Sequence, residues 1–308
     1  MSTIHLGFRT TAEQALRGAS LSGTRAIVTG ASSGLGVETT RVLALAGADV
    51  TLAVRSVPTG EAVAADLRAA LPLAAGKLDV RPLDLADLAS VRAFTDAIAA
   101  EGRRLDLLIN NAGVMAPPLG KTAQGFELQL GTNHLGHFLL TERLRPRMTA
   151  GRIVNVSSGL HTRGSGARLL ETLDDDSAYE RRKYVPFDAY GDSKLANILF
   201  TRALAKRLPP SVLAFSLHPG VIPTNLSRSM GALGAVFRTV GRLFMKTVAQ
   251  GAATSVFAAT APELEGASGA YLSDCAIATP KAEALDDALA EKVWALSERC
   301  VATRADLG

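Results

Sequence analysis

Two tyrosine–lysine pairs with the same spacing lie in one short stretch of the sequence, YERRKYVPFDAYGDSK (residues 179–194). Tyr179 stands four residues before Lys183, and Tyr190 stands four residues before Lys194. On a helix this spacing places a phenol and an ammonium on one face. The ammonium favours the phenolate and so lowers the pKa of the phenol, which suits the pair to general acid–base chemistry. Because the chain has only four tyrosines, we expect one pair to be chemical and the other incidental.

The surroundings of the two pairs favour Tyr190 as the acid–base residue and Lys194 as its electrostatic partner. The residues after Lys194, LANILF (195–200), are apolar nearly all round a helix, so this helix should be buried and its first turn can face a dry cleft. Tyr179 instead lies between the acidic run 174–176 and the basic run 181–183. We expect a charged, exposed surface there, where water screens the lysine.

A glycine-rich turn near the N-terminus, TGASSGLG (residues 29–36), is typical of a dinucleotide-binding site. Its first glycine allows the chain to reverse after a strand, and the other two let backbone amides and a helix N-terminus approach a pyrophosphate. A purely structural turn is the alternative, but the position between a predicted strand and a predicted helix favours the cofactor. The predicted cofactor contacts are Gly30, Ser32, Ser33, Gly34, Leu35 and Gly36.

The end of the second predicted strand favours NADP over NAD. An NAD site has a carboxylate there for the ribose 2′-hydroxyl, whereas this chain has Arg55, whose guanidinium fits a 2′-phosphate. The alternative is a solvated arginine on a loop. Asp84 and Leu85 close the third strand, where a carboxylate could accept from the adenine amino group. Alternatively, Asp84 and Asp87 cap the following helix.

Short apolar segments alternate with longer helical segments along most of the chain. The predicted strands are residues 25–30, 48–54, 78–85, 105–113, 152–158, 212–220 and 269–273, and the predicted helices are 34–46, 60–71, 87–101, 123–149, 189–207 and 247–260. This alternation predicts one α/β domain over residues 1–308, with a Rossmann-type, doubly wound parallel sheet of about seven strands and helices on both faces. Residues 1–22 form an N-terminal extension, and 159–188 and 222–248 depart from the alternation.

Composition and charge exclude several classes of protein. Of 308 residues 47% are hydrophobic and 20% charged, and the net charge of +4 is scattered, so we expect a globular protein that does not bind nucleic acid. The histidines, among them His134, His137, His161 and His218, show no metal-ligand spacing, and no metal is expected. Two cysteines, the lack of a signal-peptide pattern and the lack of an apolar run of about 18 residues predict a cytoplasmic protein without a transmembrane segment.

Five motifs, in this order, resemble the short-chain dehydrogenase/reductase family. They are Thr29–Gly36, Asn110–Gly113, Ser157-Ser158, Tyr190–Lys194 and Pro219-Gly220, and the similarity covers about residues 22–273. The phrases GTNHLGHFLLT (131–141), RIVNVSSGLH (152–161) and SKLANILFT (193–201) resemble the retinol-dehydrogenase-like branch and its bacterial relatives. Ser158 precedes Tyr190 by 32 residues and Tyr179 by 21, whereas the resemblance implies a separation of only about a dozen in the family's shorter members, to which 21 is nearer. The insertion 159–188 accounts for the 32 residues between Ser158 and Tyr190.

The resemblance implies a role for each matching residue. Ser158 holds the substrate oxygen, with Ser157 the less favoured choice, and Lys194 also bonds the nicotinamide ribose. Asn133 marks a backbone kink that holds a proton-relaying water; the alternative is an amide that bonds its own backbone. Further cofactor contacts are implied for Asn111, Ala112, Gly113, Pro219, Gly220, Ile222 and Thr224.

The same resemblance implies an NADP(H)-dependent oxidoreductase that reduces a ketone or aldehyde, or oxidises a secondary alcohol. The helical, apolar spacing of residues 226, 230, 233, 237, 240 and 244 predicts a lid over a hydrophobic substrate, and the alternative is an ordinary core helix. An epimerase or dehydratase on the same scaffold and a non-catalytic NADP-binding sensor are the other functions considered. A homo-oligomer is compatible with the resemblance.

Overall fold

One sheet of eight strands runs through the residues described by the computed structural model, which are 6–175, 178–222 and 245–303. The strands lie in the order β3-β2-β1-β4-β5-β6-β7-β8, and all neighbours are parallel except β7 and β8. Their bounds are β1 Arg25–Thr29, β2 Asp49–Val54, β3 Leu78–Pro82, β4 Leu107–Asn110, β5 Gly151–Val156, β6 Val212–His218, β7 Tyr271–Ser273 and β8 Ala276–Ala278. The predicted Rossmann-type fold class is confirmed.

Helices cover both faces of this sheet. Their bounds are α1 Ala12–Leu16, α2 Gly34–Leu45, α3 Val57–Ala70, α4 Leu88–Ala100, α5 Leu128–Leu130, α6 Gly136–Leu144, α7 Gly166–Asp174, α8 Ala178–Arg181, α9 Pro186–Ala205, α10 Val248–Gly251, α11 Ala253–Thr260 and α12 Asp287–Thr303. Within the described ranges, no helix combines the length and the apolar character needed to cross a membrane.

The central strands contribute side chains alternately to two apolar layers, as the two-residue period of a strand requires. In β1, Ile27 packs with the layer formed by α4, α6, α9 and α12, whereas Ala26 and Val28 pack with the layer formed by α1, α2, α3 and α11. Because both faces are covered, every residue of β1 is buried. This explains the nearly uninterrupted apolar strands.

The strand order reverses beside β1. From β1 the chain moves outward through β2 and β3, and it then returns to the other side of β1 to form β4 and the following strands. In open α/β sheets a crevice forms at the carboxyl ends of the strands where the order reverses. The glycine-rich turn after β1 and the segment after β4 therefore meet at one point.

Several elements differ from the sequence-based prediction. The helix predicted at 123–149 begins at Leu128, because Gly125 has a φ of 83° and residues 121–127 form a turn closed by a bridge between Lys121 and Glu127. The helix predicted at 247–260 is divided at Ala252. The short, antiparallel edge strand β8 was not predicted. Most of the predicted lid, residues 223–244, lies outside the described residues.

Candidate active site

The helix α9 brings Tyr190 and Lys194 together in the protein interior. Pro186 occupies its first turn, where a missing N–H costs nothing, and the helix is buried almost continuously from Ala189 onward. Tyr190 is 6% exposed and Lys194 3% exposed. The Lys194 ammonium donates to the carbonyl of Val156 over 3.0 Å and lies 5.6 Å from the centre of the Tyr190 ring.

The two serines after β5 have different partners. The buried Ser157 hydroxyl donates to the backbone carbonyl of Lys194 over 2.7 Å, so it fastens β5 to α9. The half-buried Ser158 is close enough to the Tyr190 phenol to lower its pKa, and its hydroxyl accepts from the amide of Leu160 over 3.2 Å. Ser158 is therefore the hydroxyl that lies beside the phenol, although 32 residues separate it from Tyr190.

Burial acts on the charges of this pair in opposite directions. Loss of water around the phenol raises the pKa of Tyr190 to about 12, and the nearby Ser158 hydroxyl only partly opposes this. Burial also lowers the pKa of the Lys194 ammonium to about 8. The sequence-based expectation that the pKa of the Tyr190 phenol is lowered is therefore wrong. In this structure the loss of hydration outweighs the opposing effect of the polar groups beside the phenol.

Asn133 lies in a π-helical segment, Gly131–Leu135, that interrupts the helix from Leu128 to Leu144. Its side chain is fully buried and does not bond its own backbone. It accepts from the amide of Val114 over 2.8 Å and donates to the Val114 carbonyl over 3.0 Å and to Ser193 over 2.9 Å. The predicted kink is thus present as a π-helical turn tied to the segment after β4.

Gly113 shows that Asn133 and Lys194 face the same point. A Cβ at this exposed glycine would lie 3.1 Å from the Asn133 Oδ1 and 3.4 Å from the Lys194 Nζ. A side chain at this position would crowd both polar groups. The segment after β4 therefore has a glycine, without a side chain, at the point where it passes Lys194.

The glycine-rich turn packs closely against the same segment. Gly30 has a φ of 66°, and a Cβ there would meet Ala112 at 2.9 Å. A Cβ at Gly36 would lie 2.3 Å from the Gly30 carbonyl oxygen and 2.9 Å from the side-chain Nδ2 of Asn111. Only glycine therefore allows α2 to begin this close to Gly30 and Asn111. Ser33, exposed at the start of α2, makes no side-chain capping bond. Ser32, Gly34 and Leu35 surround it, each half-buried.

The predicted adenosine contacts lie at the ends of β2 and β3. Arg55 is exposed directly after β2. Asp84 accepts from the amide of Ala86 over 2.9 Å, whereas Asp87 caps α4 through the amide of Ala89 over 3.0 Å. Leu85 is buried, and its carbonyl would be 2.4 Å from a Cβ at Gly136. The helix-capping alternative therefore holds for Asp87.

The segment after β6 returns to the glycine-rich turn. Pro219 is buried and Gly220 has a φ of 93°. A Cβ at Gly251 would lie 2.3 Å from Ile222 and 2.7 Å from Leu35, so both side chains pack against Gly251 of α10. Thr224 lies outside the described residues.

Tyr179 is not on an exposed surface, which corrects the sequence-based expectation. Its half-buried ring lies 4.5 Å from the Arg182 guanidinium and 5.1 Å from the Tyr184 ring, and burial raises the pKa of its phenol. Lys183, its partner by spacing, is exposed. The ring of Tyr179 therefore packs against two other residues of the insertion, Arg182 and Tyr184.

Two polar residues of the site were missed by the sequence analysis. Gln129 is fully buried; it accepts from the amide of Ala116 over 2.8 Å and donates to the Tyr184 hydroxyl over 2.8 Å. His137 is also buried and contacts Thr29. Gln129 and His137 lie four residues before and four residues after Asn133, so the three polar residues share one face of an otherwise apolar helix. This spacing of four is the sequence signal that could have identified them.

Related proteins match this chain over most of its length. A model of the short chain dehydrogenase family matches residues 24–168. Retinol dehydrogenase 12 of Mus musculus is 43% identical over 276 residues, which are 88% of this chain and 84% of that protein. Short-chain dehydrogenase TIC 32 B, chloroplastic, of Brassica napus is 38% identical over 96% of this chain and 94% of its own length.

Solved structures show the same fold. A crystal structure of an uncharacterized protein from Mycobacterium Paratuberculosis has a TM-score of 0.73 and 38% identity, covering 92% of this chain and 95% of its own. A short chain dehydrogenase from Burkholderia cenocepacia in complex with NADP has a TM-score of 0.64 and 27% identity, covering 82% of this chain and 96% of its own.

The chain is an NAD(P)-dependent oxidoreductase that belongs to the short-chain dehydrogenase/reductase family. Within the family it lies in the retinol-dehydrogenase-like branch, so both steps of the resemblance predicted from the motifs are confirmed.

Proposed function

We propose that the protein reduces a ketone or aldehyde of a hydrophobic substrate with NADPH, or oxidises the corresponding secondary alcohol. The observation that supports this best is the buried Tyr190 phenol, which has Ser158 and the Lys194 ammonium beside it. A carbonyl oxygen that gains a hydride needs a proton donor and a hydrogen-bond donor at one point, and this arrangement supplies both.

Each side chain has a distinct task in the proposed reaction. When bound, the nicotinamide supplies the hydride. Ser158 orients the substrate oxygen, and the Tyr190 phenol gives it a proton as the new C–O–H group forms. Lys194 stabilises the phenolate that is left behind. By family resemblance, a water held at the backbone of Asn133 returns a proton to the pair, and the π-helical segment that contains Asn133 supports this role.

NADP is the proposed cofactor, and NAD is the less favoured one. The Gly30–Gly36 turn and the segment after β4 form the cradle for the pyrophosphate, and Arg55 meets the 2′-phosphate. Asp84 and Leu85 lie where the adenine would bind, and Thr224 is assigned to the carboxamide by family resemblance alone. Support comes from relatives solved with NADP, including the one from Burkholderia cenocepacia.

The proposed substrate is hydrophobic because relatives 43% identical to the chain are named retinol dehydrogenases, and retinol is an apolar alcohol. The apolar spacing of residues 226–244 is consistent with this class. Cytoplasmic localisation, a homo-oligomer and the single-domain organisation stay predictions from the sequence.

The test is a panel of ketones and aldehydes offered with NADPH, comparing the wild type with two tyrosine variants. Tyr190→Phe removes the proton donor and should lower kcat at least about a hundredfold while NADPH binding, followed by cofactor fluorescence, is retained. Tyr179→Phe is the matched control and should keep its activity, because Tyr179 contacts Arg182 and Tyr184 instead of the site.

Two outcomes would contradict the proposal. Activity retained by Tyr190→Phe would remove this residue from the mechanism. NADPH binding by the wild type without turnover of any carbonyl would favour the alternative of a cofactor-binding sensor.

A further inference from the structure

Three buried polar side chains lie on one helix face, and two of them bond to the segment that follows β4. These residues, Gln129, Asn133 and His137, are called the polar row. Gln129 accepts from the amide of Ala116 and Asn133 from the amide of Val114, each over 2.8 Å. Two members of the row therefore fix alternate residues of a segment that passes the Tyr190–Lys194 pair.

The third member, His137, reaches further, to the end of β1. Its Nε2 lies 2.9 Å from the Thr29 hydroxyl, and its Nδ1 lies 3.1 Å from the backbone carbonyl of Asn133. The same Thr29 oxygen accepts from the backbone amides of Asn111 and Ala112, both over 2.9 Å. One imidazole thus lies between the first cofactor turn and the π-helical segment.

The hydrogen-bond donors and acceptors around the His137 ring are compatible with only one of its two neutral tautomers. The Thr29 oxygen has two lone pairs, and the two amides use both, so its hydroxyl must donate. The nearer acceptor is the His137 Nε2, since the Ile109 carbonyl is 3.4 Å away. Nε2 is then unprotonated, and Nδ1–H donates to the Asn133 carbonyl, which can only accept. Burial lowers the pKa of His137 to about 4, which keeps the ring neutral.

We propose that His137 is a positioning residue that holds the Asn133 carbonyl at a fixed place relative to Thr29 and the backbone of the first cofactor turn. Asn133 Oδ1 and the Lys194 ammonium both approach Gly113, so a displaced π-helical segment would disturb the pair. The proposal rests on the proposed function. It adds a link between the cofactor-binding half and the acid–base half that none of the motifs indicated.

Two variants separate the two bonds of the imidazole. His137→Gln keeps an acceptor near Thr29 and loses the donor to Asn133, so kcat should fall about tenfold or more while the Kd for NADPH is unchanged. His137→Asn keeps a donor near the Asn133 carbonyl but is too short to reach Thr29, so NADPH binding should weaken, whereas kcat at saturating NADPH should fall less than in His137→Gln. Both parameters are measured with the best carbonyl of the panel.

His134→Gln is the matched control, because His134 is a buried histidine of the same π-helical segment. Its Nε2 lies 2.7 Å from the Ser297 hydroxyl, which belongs to α12. This variant should lower Tm and leave kcat within about twofold, since the groups around the Tyr190–Lys194 pair keep their places. If the His137 variants likewise lower only Tm, the role of His137 is structural and the proposal is overturned.

Nitrogen-15 NMR of the imidazole rings tests the tautomer without any turnover, with the His137→Gln spectrum as the assignment. The expected state of the wild type is Nδ1–H with an unprotonated Nε2. An Nε2–H tautomer in an active wild type would overturn the role of His137 alone. A wild type without carbonyl turnover would overturn the proposed function and, with it, the role of His137, even if the tautomer is as expected.

Discussion

At the scale of single residues, desolvation sets the proton states of the Tyr190–Lys194 pair. Below about pH 8 the lysine is an ammonium, and up to about pH 12 the tyrosine is a phenol. The phenol is therefore ready to donate a proton over the whole range in which the lysine is charged. Donation is the step that carbonyl reduction needs, whereas alcohol oxidation needs the phenolate, which burial disfavours.

Arg55 carries the proposed choice of cofactor, and Arg55→Asp tests it. A charge-assisted bond to a 2′-phosphate contributes about 1.5–3 kcal/mol, so the variant should lower kcat/KM for NADPH relative to NADH about tenfold or more. The introduced carboxylate can instead accept from a 2′-hydroxyl. The measurement is the ratio of the two kcat/KM values with one carbonyl substrate.

Lys292→Asp is the control for this prediction. Lys292 is exposed on α12, and its substitution changes the net charge by the same amount as Arg55→Asp. It should leave the cofactor ratio unchanged. An unchanged ratio in Arg55→Asp as well would refute a contact with the 2′-phosphate.

The sequence could predict the site residues whose relative positions depend on local spacing. The Tyr190–Lys194 spacing and the glycine positions of the turn are of this kind, since one helix and one turn place them. The hydrogen bond between Thr29 and His137 joins residues 108 positions apart, so it needed the packing of α6 on the sheet. The raised pKa of Tyr190 likewise depends on burial by distant segments.

At the scale of elements, the insertion 159–188 is fastened to the helix that carries Tyr190. Leu169 and Leu173 of α7 are buried in the same apolar layer as α9 and α12. The Arg168 guanidinium meets the Asp192 carboxylate with two bonds of 2.9 Å, and Asp192 also accepts from the amide of Ser165 over 2.7 Å. The insertion therefore supports α9 close to Tyr190.

Arg168→Ala should destabilise the protein by about 2–3 kcal/mol. Removing one partner of a buried ion pair costs about 3–5 kcal/mol, and the value here is smaller because 32% of the Arg168 side chain is exposed, against 4% for Asp192. Burial already raises the pKa of the Asp192 carboxyl, so without Arg168 its ionised form becomes still less stable. Urea unfolding followed by far-UV circular dichroism measures the free energy.

Arg103→Ala is the matched control at the surface. Arg103 pairs with Asp49 over 3.3 Å, and their side chains are 58% and 38% exposed. Its loss should cost less than about 1 kcal/mol, because water screens the pair. Equal effects of the two substitutions would show that the insertion does not depend on the Arg168–Asp192 pair.

Elements with a long apolar period could be predicted together with their ends, whereas ends that depend on a polar cap or on pairing with another strand could not. Strand β1 and helix α4 follow the predicted bounds within a residue. The start of α5 depends on Glu127, whose carboxylate caps the helix through the amides of Gln129 and Leu130. A buried glutamate in that role has no apolar period to reveal it. Strand β8 has three residues and relies on pairing with β7.

At the scale of the whole molecule, the C-terminal helix completes one of the two apolar layers. Trp294 of α12 is 4% exposed, and its ring centre lies 5.0 Å from that of Phe138 in α6 and 5.7 Å from that of Phe200 in α9. It is the only tryptophan of the chain. Its fluorescence therefore reports on the packing of the layer that also contains the Tyr190 helix.

If the chain is one domain, this layer and the layer formed by α1, α2, α3 and α11 should unfold together, because both pack on one continuous sheet. Tryptophan fluorescence and far-UV circular dichroism should then give the same urea midpoint. NADPH at about 100 times its Kd should shift both midpoints upward by the equivalent of about 2.7 kcal/mol. Trp294→Phe, which lacks tryptophan, supplies the fluorescence baseline. A fluorescence midpoint below the dichroism midpoint would mean that α12 and its layer unfold first, as a separate unit.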